Sequence, residues 1–367
     1  MINKDNRTFP GGTTMMRRLP SAVGAEVFLS GVPGQGEAPE AFLANLVASL
    51  RAQEIQVAAA EVFGSLPPDA LAACVPGDWP VTWVVEPPER GQAISGVLIW
   101  GIQGAVVRRL PGEGRVAGSV FEDEHALYCR CSGILPRNPD ASPAEQTAEV
   151  FERMESVLAE ADMNFGHVVR TWFYNRDITA WYREFNDARD EFFYARRIFD
   201  GIVPASTGMG GWNPAGAALV GGCLAVKPKT SAVQVRRLSS PLQCPAFDYG
   251  SSFSRAVEVD EPECRRILIS GTASIAPEGQ TLYVDDAGAQ MTQTLRVVEA
   301  ILTSRGMGWE HVTRAILYYK RMKDLPVFER IAAGLPAFPA IFVNNDVCRD
   351  DLLFEFELDA IEAKQTG

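Results

Sequence analysis

The sequence predicts an α+β fold in which three copies of one β-α-β unit stand in a single chain as a covalent pseudo-trimer, with mixed sheets and helices packed on their outer faces. Three observations carry that expectation. Gln146, Glu155, Leu158, Met163, His167, Val168, Arg170 and Tyr174 recur 144 positions later as Gln290, Glu299, Leu302, Met307, His311, Val312, Arg314 and Tyr318. Apolar strands end in a Ser-Gly pair three times, at Ser30-Gly31, Ser132-Gly133 and Ser270-Gly271. A chain of 367 residues with 47% apolar content is also longer than one domain of about 100–150 residues.

Each copy is expected to run in the same order. In the C-terminal copy an apolar strand through Ser270-Gly271 gives way to a loop containing Pro and Gly, the grammar of a strand followed by a turn. A helix follows, with Leu295, Val298, Ile301 and Leu302 at helical spacing, which makes the apolar stripe of a helix lying on a sheet. Next come the β-rich run VTRAILYY at 312–319 and a closing pair, PAIFV at 339–343 and LLFEFELDAI at 352–361. The middle copy repeats the scheme with VVRTWFY at 168–174, and the N-terminal hundred residues show a weaker version through VFLSGVP, AFLANLVASLRAQ, VAAAEVF, VTWVVEP and GVLIWGI. The units are placed at residues 1–120, 121–235 and 236–367.

Composition removes several classes of function. With 46 acidic and 34 basic residues the net charge is −12, which argues against a sequence-independent grip on nucleic acid. Three histidines leave little material for histidine chemistry or a multi-histidine metal site. The seven cysteines form no CxxC pair, so neither a disulfide framework nor a zinc cage is expected, and a reducing cytoplasm is the simplest compartment. The start is polar and no apolar run is long enough for a membrane span. No metal and no cofactor are expected, and a covalent pseudo-trimer is expected to act as a monomer.

Differences between copies point to function. His167 and His311 precede the same strand in two copies and read as scaffold, while His125 beside an acidic EDE run reads as solvated. The middle copy carries an apparent insertion after its second strand. Its first part, WYREFNDARDEFFYARRIF, has helical spacing with aromatics and arginines interleaved; its second, Pro204 to Gly211, reads as a small-residue loop able to form an anion-binding concavity. The last strand of the C-terminal copy reads Phe354-Glu355-Phe356-Glu357-Leu358, so alternation sends both glutamates to one face. The corresponding LVGGCLAV of the middle copy has no acid. A carboxyl in a sheet core has its pKa raised by burial toward the working pH of a general acid, whereas the same residue on an edge strand would face solvent. Between the two later units lies the linker SSPLQCPAFDYGSSFSRAVEV with Arg255 before a new strand, and Cys348 stands upstream of Glu355 with no histidine partner in view.

These residues resemble a known family. The repeated unit with its Ser-Gly strand and FEFELDAI terminus is similar to the Rid/YjgF reactive-intermediate deaminase fold. WFY…WYREFNDARDEFF, PASTGMGG, SPLQCPAFDYGSSFSRA, ISGTASI and CRDDLLFEFELDA more closely resemble the chorismatases, over roughly residues 125–363. The resemblance implies cleavage of the enolpyruvyl ether of chorismate with release of pyruvate, Glu355 protonating the methylene carbon. It implies a substrate site for this small anionic molecule drawn from Tyr182, Arg189, Thr207, Gly208, Arg255, Thr272, Lys320 and Cys348. The simple deaminases hold a carboxylate with an arginine after Phe-Pro-Ala; here Phe338-Pro339-Ala340 is followed by Ile341. Cys348 resembles the branch forming 3-hydroxybenzoate, while Ala256 resembles the hydrolytic branch that forms a cyclohexadiene diol carboxylate. An imine deaminase and a non-catalytic binder of an aromatic metabolite are the rival functions.

Overall fold

A computed structural model of the chain describes residues 3–5, 13–21, 24–87 and 93–364. Eighteen strands and six α-helices follow in order among these residues. The first unit holds β1 (Asn3–Asp5), β2 (Thr13–Ser21), β3 (Gly24–Val32), α1 (Pro39–Ala52), β4 (Gln56–Phe63), α2 (Pro68–Cys74), β5 (Val81–Val84) and β6 (Gly96–Gln103). The second holds β7 (Arg108–Pro111), β8 (Val116–Glu122), β9 (Ala126–Ile134), α3 (Pro143–Ala159), β10 (Val168–Asn175), α4 (Ile178–Ala195), β11 (Ala205–Gly210) and β12 (Leu219–Pro228). The third holds β13 (Gln234–Leu238), β14 (Ala256–Asp260), β15 (Cys264–Ala273), α5 (Ala287–Thr303), β16 (Val312–Tyr319), α6 (Leu325–Ala332), β17 (Ile341–Asn344) and β18 (Phe354–Ala363).

The three six-stranded sheets have one strand order, β1-β2-β3-β6-β4-β5, repeated as β7-β8-β9-β12-β10-β11 and β13-β14-β15-β18-β16-β17. Local chemistry explains the elements. Helix α3 starts at a capping box of Ser142 and Glu145 with Pro143 at its first position, and Asp286 caps α5. Both helices bury one stripe on their own sheet, Val150, Met154 and Leu158 in one and Met291, Leu295 and Val298 in the other. The histidines before β10 and β16 act alike: His167 Nδ1 accepts from Asn164 N at 3.1 Å and His311 Nδ1 from Gly308 N at 3.0 Å.

The faces turned away from the helices meet in a shared core. Phe63, Tyr174 and Tyr318, one from each unit, converge there, with Tyr174 Oη 3.2 Å from Tyr318 Oη and the Phe63 ring edge-on to Tyr174 at 5.5 Å. A buried ionic network crosses the same seams. Glu61 of the first unit accepts from Arg130 of the second at 2.7 Å and Arg314 of the third at 2.6 Å. Glu357 accepts from Arg170 at 2.8 Å and lies 2.7 Å from Arg314, and Arg266 joins Glu26 to Glu261. Arg130 also stacks 3.8 Å from the Trp172 ring centroid.

Five expectations need correction. Strands β7 and β8 pair with β9, so the second sheet begins at Arg108 and not after residue 120. The helix of the middle copy is no insertion: α2, α4 and α6 occupy the same crossover between two parallel strands, and α4 is the longest. Pro204 to Gly211 forms no anion-binding loop, because residues 205–210 are β11, in parallel register with β10. Gly210 and Gly211 reflect close approach between units, since a Cβ on Gly210 would strike Asp346 and one on Gly211 would press on Val84. The supposed linker lies inside the third sheet, connecting β13 to β14. His125 is also not fully solvated; its Nε2 lies 3.1 Å from Glu263. No helix among the described residues is long and apolar enough to cross a membrane.

Removing one partner of a buried ion pair leaves its mate uncompensated, at about 3–5 kcal/mol. Arg266→Met is therefore expected to lower the urea unfolding free energy by about that amount. A loss under about 1 kcal/mol would show that the Glu26–Arg266–Glu261 link contributes little.

Candidate active site

Glu355 lies on β18, which has β15 on one side and β16 on the other, so it is an interior strand and not an edge. Phe354, Phe356 and Leu358 pack against the helices, and Glu355 and Glu357 point the other way, toward the second unit. Register identifies the counterparts of Glu355. It stands opposite Tyr318, as Val220 stands opposite Tyr174 and Gly96 opposite Phe63. The acid is thus present in one of three equivalent positions.

The two glutamates have opposite surroundings. Burial acts to raise Glu357, but Arg314, Arg170 and the Thr207 hydroxyl outweigh it and hold the carboxyl below its ordinary range. Trp172 Nε1 donates to it as well, at 3.1 Å. Glu355, 6% exposed, is pushed up to about 8 by burial and then by the ionised Glu357, against the pull of Arg170, Arg255 and Arg349. Gly271 makes room for it: a Cβ there would overlap the Glu355 carboxyl. At neutral pH Glu355 therefore carries a proton and Glu357 does not.

Glu355 borders a cleft between the second and third units. Of the residues selected from sequence, Tyr182, Arg189, Gly208, Arg255, Cys348 and Glu355 line it together. Helix α4 supplies Tyr182 and Arg189, β11 supplies Gly208, and the β13–β14 connection supplies Arg255 with Ser251 and Phe253. Arg255 is held by Cys244 O, to which its Nε donates at 2.9 Å, and Arg189 lies 5.3 Å from the Phe185 ring centroid. The Cys348 thiol is pushed up to about 12 by burial and by Glu355, and it hydrogen-bonds with Tyr182, so it is a neutral wall and not a nucleophile.

Three selected residues lie elsewhere. Thr207 sits one layer behind the cleft, its Oγ1 accepting from Arg170 Nη2 at 2.6 Å and Gly271 N at 2.9 Å. Thr272 is turned inward and donates to Ser270 O at 2.8 Å. Lys320 lies beyond the end of β16, 3.1 Å from Asp346 Oδ1, away from the cleft. A cation absent from that selection takes its place: Arg349 lines the cleft, its Nη1 donating to Gly279 O at 2.8 Å. Its position next to Cys348 was the available signal. The cleft thus surrounds one protonated acid with three arginines, an arrangement suited to a small dianion whose carbon is to be protonated.

Comparison with known proteins agrees with this architecture. The endoribonuclease L-PSP family matches residues 124–243 and 246–345. A 3-hydroxybenzoate synthase of Streptomyces hygroscopicus is 27% identical over 259 residues, 63% of this chain and 73% of that protein. A chorismatase of Streptomyces rapamycinicus is 25% identical over 241 residues, 58% of this chain and 69% of the relative. A crystal structure of a chorismatase superposes with a TM-score of 0.60 at 21% identity, covering 83% of this chain and 93% of that one. The chain belongs to the endoribonuclease L-PSP family, and its three-unit architecture is that of the chorismatase fold.

Proposed function

We propose that this protein is a chorismate-converting enzyme that cleaves the enolpyruvyl ether by general-acid catalysis from Glu355. The observation that carries the reading is the buried Glu355, its carboxyl pushed up to about 8 by burial, facing a cleft with Arg189, Arg255 and Arg349. Chorismate has two carboxylates, and arginines are suited to grip them through paired hydrogen bonds. Its enol ether needs a proton delivered to the methylene carbon. Glu355 supplies that proton, and the arginines hold the substrate against it. Water captures the oxocarbenium ion formed and the hemiketal collapses to pyruvate and the ring diol, or the adjacent ring hydroxyl attacks the ether-bearing ring carbon, expels pyruvate as that C–O bond breaks, and the resulting epoxide opens with loss of a ring proton to the hydroxybenzoate. In either route the attacking hydroxyl gives up its proton. The Glu355 carboxylate produced in the first step recovers its proton in the second.

The product we favour is 3-hydroxybenzoate. Cys348, the residue resembling that branch, lies in the cleft, whereas Ala256 at the start of β14 is buried in the helix-side core and does not line it. The similarity to the 3-hydroxybenzoate synthase points the same way.

Purified protein incubated with chorismate is expected to release pyruvate, and Glu355→Gln to lower kcat by about 10²–10⁴-fold with the fold intact by circular dichroism. Absence of pyruvate release by the parent protein across pH 5–9 would sink the proposal. The acid must be protonated to act, so kcat/KM is expected to fall about tenfold per unit as pH rises beyond about 8. Folding stability should share the dependence. A carboxyl raised from 4.5 to about 8 contributes stability that is complete below the lower value and lost as pH rises through the upper one. Thermal melts should accordingly show Glu355→Gln gaining on the parent between those pH values, by up to about 1.4 kcal/mol per unit. A flat difference would mean that Glu355 is not protonated at neutral pH.

A further inference from the structure

Two turns from different units bring three metal-ligating side chains together outside the cleft. The β8–β9 turn of the second unit carries Glu124 and His125, and the β14–β15 turn of the third carries Glu263. His125 Nε2 lies 3.1 Å from Glu263 Oε1 and 3.5 Å from Glu124 Oε1, and the three donor atoms all fall within 4.8 Å of one another. Around a tetrahedral ion with bonds of about 2.0–2.2 Å, neighbouring donors stand about 3.3–3.6 Å apart, so both distances from His125 are close to the edges of such a coordination shell. His125 and Glu263 are half-buried and Glu124 is exposed, which leaves one side open for entry of an ion and for a water ligand.

The local charge calls for a cation. The two turns hold six carboxylates, on Glu122, Asp123, Glu124, Asp260, Glu261 and Glu263. The neighbouring cations are already engaged: Lys229 Nζ binds Glu122 and the carbonyl of Asp123, Lys364 Nζ binds Asp260 at 2.6 Å, and Arg266 binds Glu261 at 2.8 Å. Among the described residues neither Glu124 nor Glu263 pairs with a lysine or arginine, and both turn to His125. Two carboxylates on one imidazole remain short of positive charge even when the ring is protonated, and a divalent ion makes up the difference. The backbone holds the donors in place. His125 N donates to Asp123 Oδ1, His125 O accepts from Lys229 N and Glu263 O accepts from Lys364 N, each at 2.8 Å. One imidazole nitrogen with two carboxylate oxygens suits zinc and its first-row neighbours, whereas magnesium and calcium favour oxygen alone. No spacing along the chain betrays the set, because His125 and Glu263 stand 138 residues apart.

We propose that Glu124, His125 and Glu263 bind one zinc-class divalent ion that clamps the second unit to the third. β15 runs from beside Glu263 to Gly271 and Ala273 in the cleft wall, a span of about 25 Å at roughly 3.4 Å per residue. The clamp therefore joins the two units that enclose Glu355 from the opposite end of that strand, without touching the reacting groups. Between β2 and β3 of the first unit the sequence is Ala22-Val23, which offers no ligand.

The test is a zinc titration of the full chain, first stripped with a chelator, beside His125→Ala and Glu263→Gln. Ion pairs this close to solvent contribute little to stability, so without metal both variants should fold and melt as the parent does. Competition with a chromogenic chelator is expected to show one strong site per parent chain, weakened at least about a hundredfold in either variant. Zinc at about a hundredfold excess over its dissociation constant should raise the melting temperature of the parent by a few degrees and leave the variants unmoved. Magnesium and calcium should bind far more weakly. The proposal is overturned if the parent shows no site at micromolar zinc, or if either variant keeps the parent's affinity, which would place the ion on other ligands. It is overturned equally if zinc binds and the melting temperature stays where it was, since an ion gripping both units must stabilise the folded chain. No outcome depends on chorismate turnover, so the clamp stands or falls apart from the proposed reaction.

Discussion

Everything at the cleft depends on how one arginine network treats two glutamates that differ by a single alternation of β18. Glu357 lies where Arg170 and Arg314 meet across the unit boundary, and their hydrogen bonds keep it ionised in spite of burial. Glu355, two residues earlier on the same face, feels the charges of Arg170, Arg255 and Arg349, but burial and the Glu357 charge outweigh them. The charge that stabilises the seam is the charge that discourages ionisation of its neighbour. The scaffold and the acid are therefore one electrostatic arrangement, and a change in Arg170 or Arg314 would be felt by both.

The repeat shows how such an arrangement is confined to one place. Three equivalent seams exist, and the position of Glu355 is Val220 in one unit and Gly96 in another. At Gly96 the space is occupied by Ile341 from the third unit, so an apolar side chain fills the position. A chain of fused copies can vary each seam independently, which a symmetric assembly of identical chains cannot do. One seam holds Glu355 and the arginines of the cleft, and the others carry structural pairs such as Glu61 with Arg130 and Glu26 with Arg266.

Much of the fold could be read before any coordinates, because fixed-offset identities and period-2 alternation are local signals. The common face of Glu355 and Glu357 followed from alternation alone. What sequence could not reveal was long-range. Glu61 and Glu26 gave no sign of their arginine partners, which lie on other units. β11 looked like a loop because its small residues were read as turn chemistry, when Gly210 records close passage against the third unit. Lys320 appeared useful from its place after a repeated strand, but the chain turns there and Asp346 engages it. Arg349 was passed over in its favour, although it adjoins Cys348, because its place in the cleft depends on how the chain after β17 packs against the second unit.

The central claim is that Glu355 is protonated at neutral pH while Glu357 is not. Infrared difference spectra of the parent against Glu355→Gln read it directly, through the carbonyl stretch of a protonated carboxyl. The account predicts a band at pH 7 that is missing from the variant and fades as pH passes about 8. A band that has already vanished near pH 5 would contradict it.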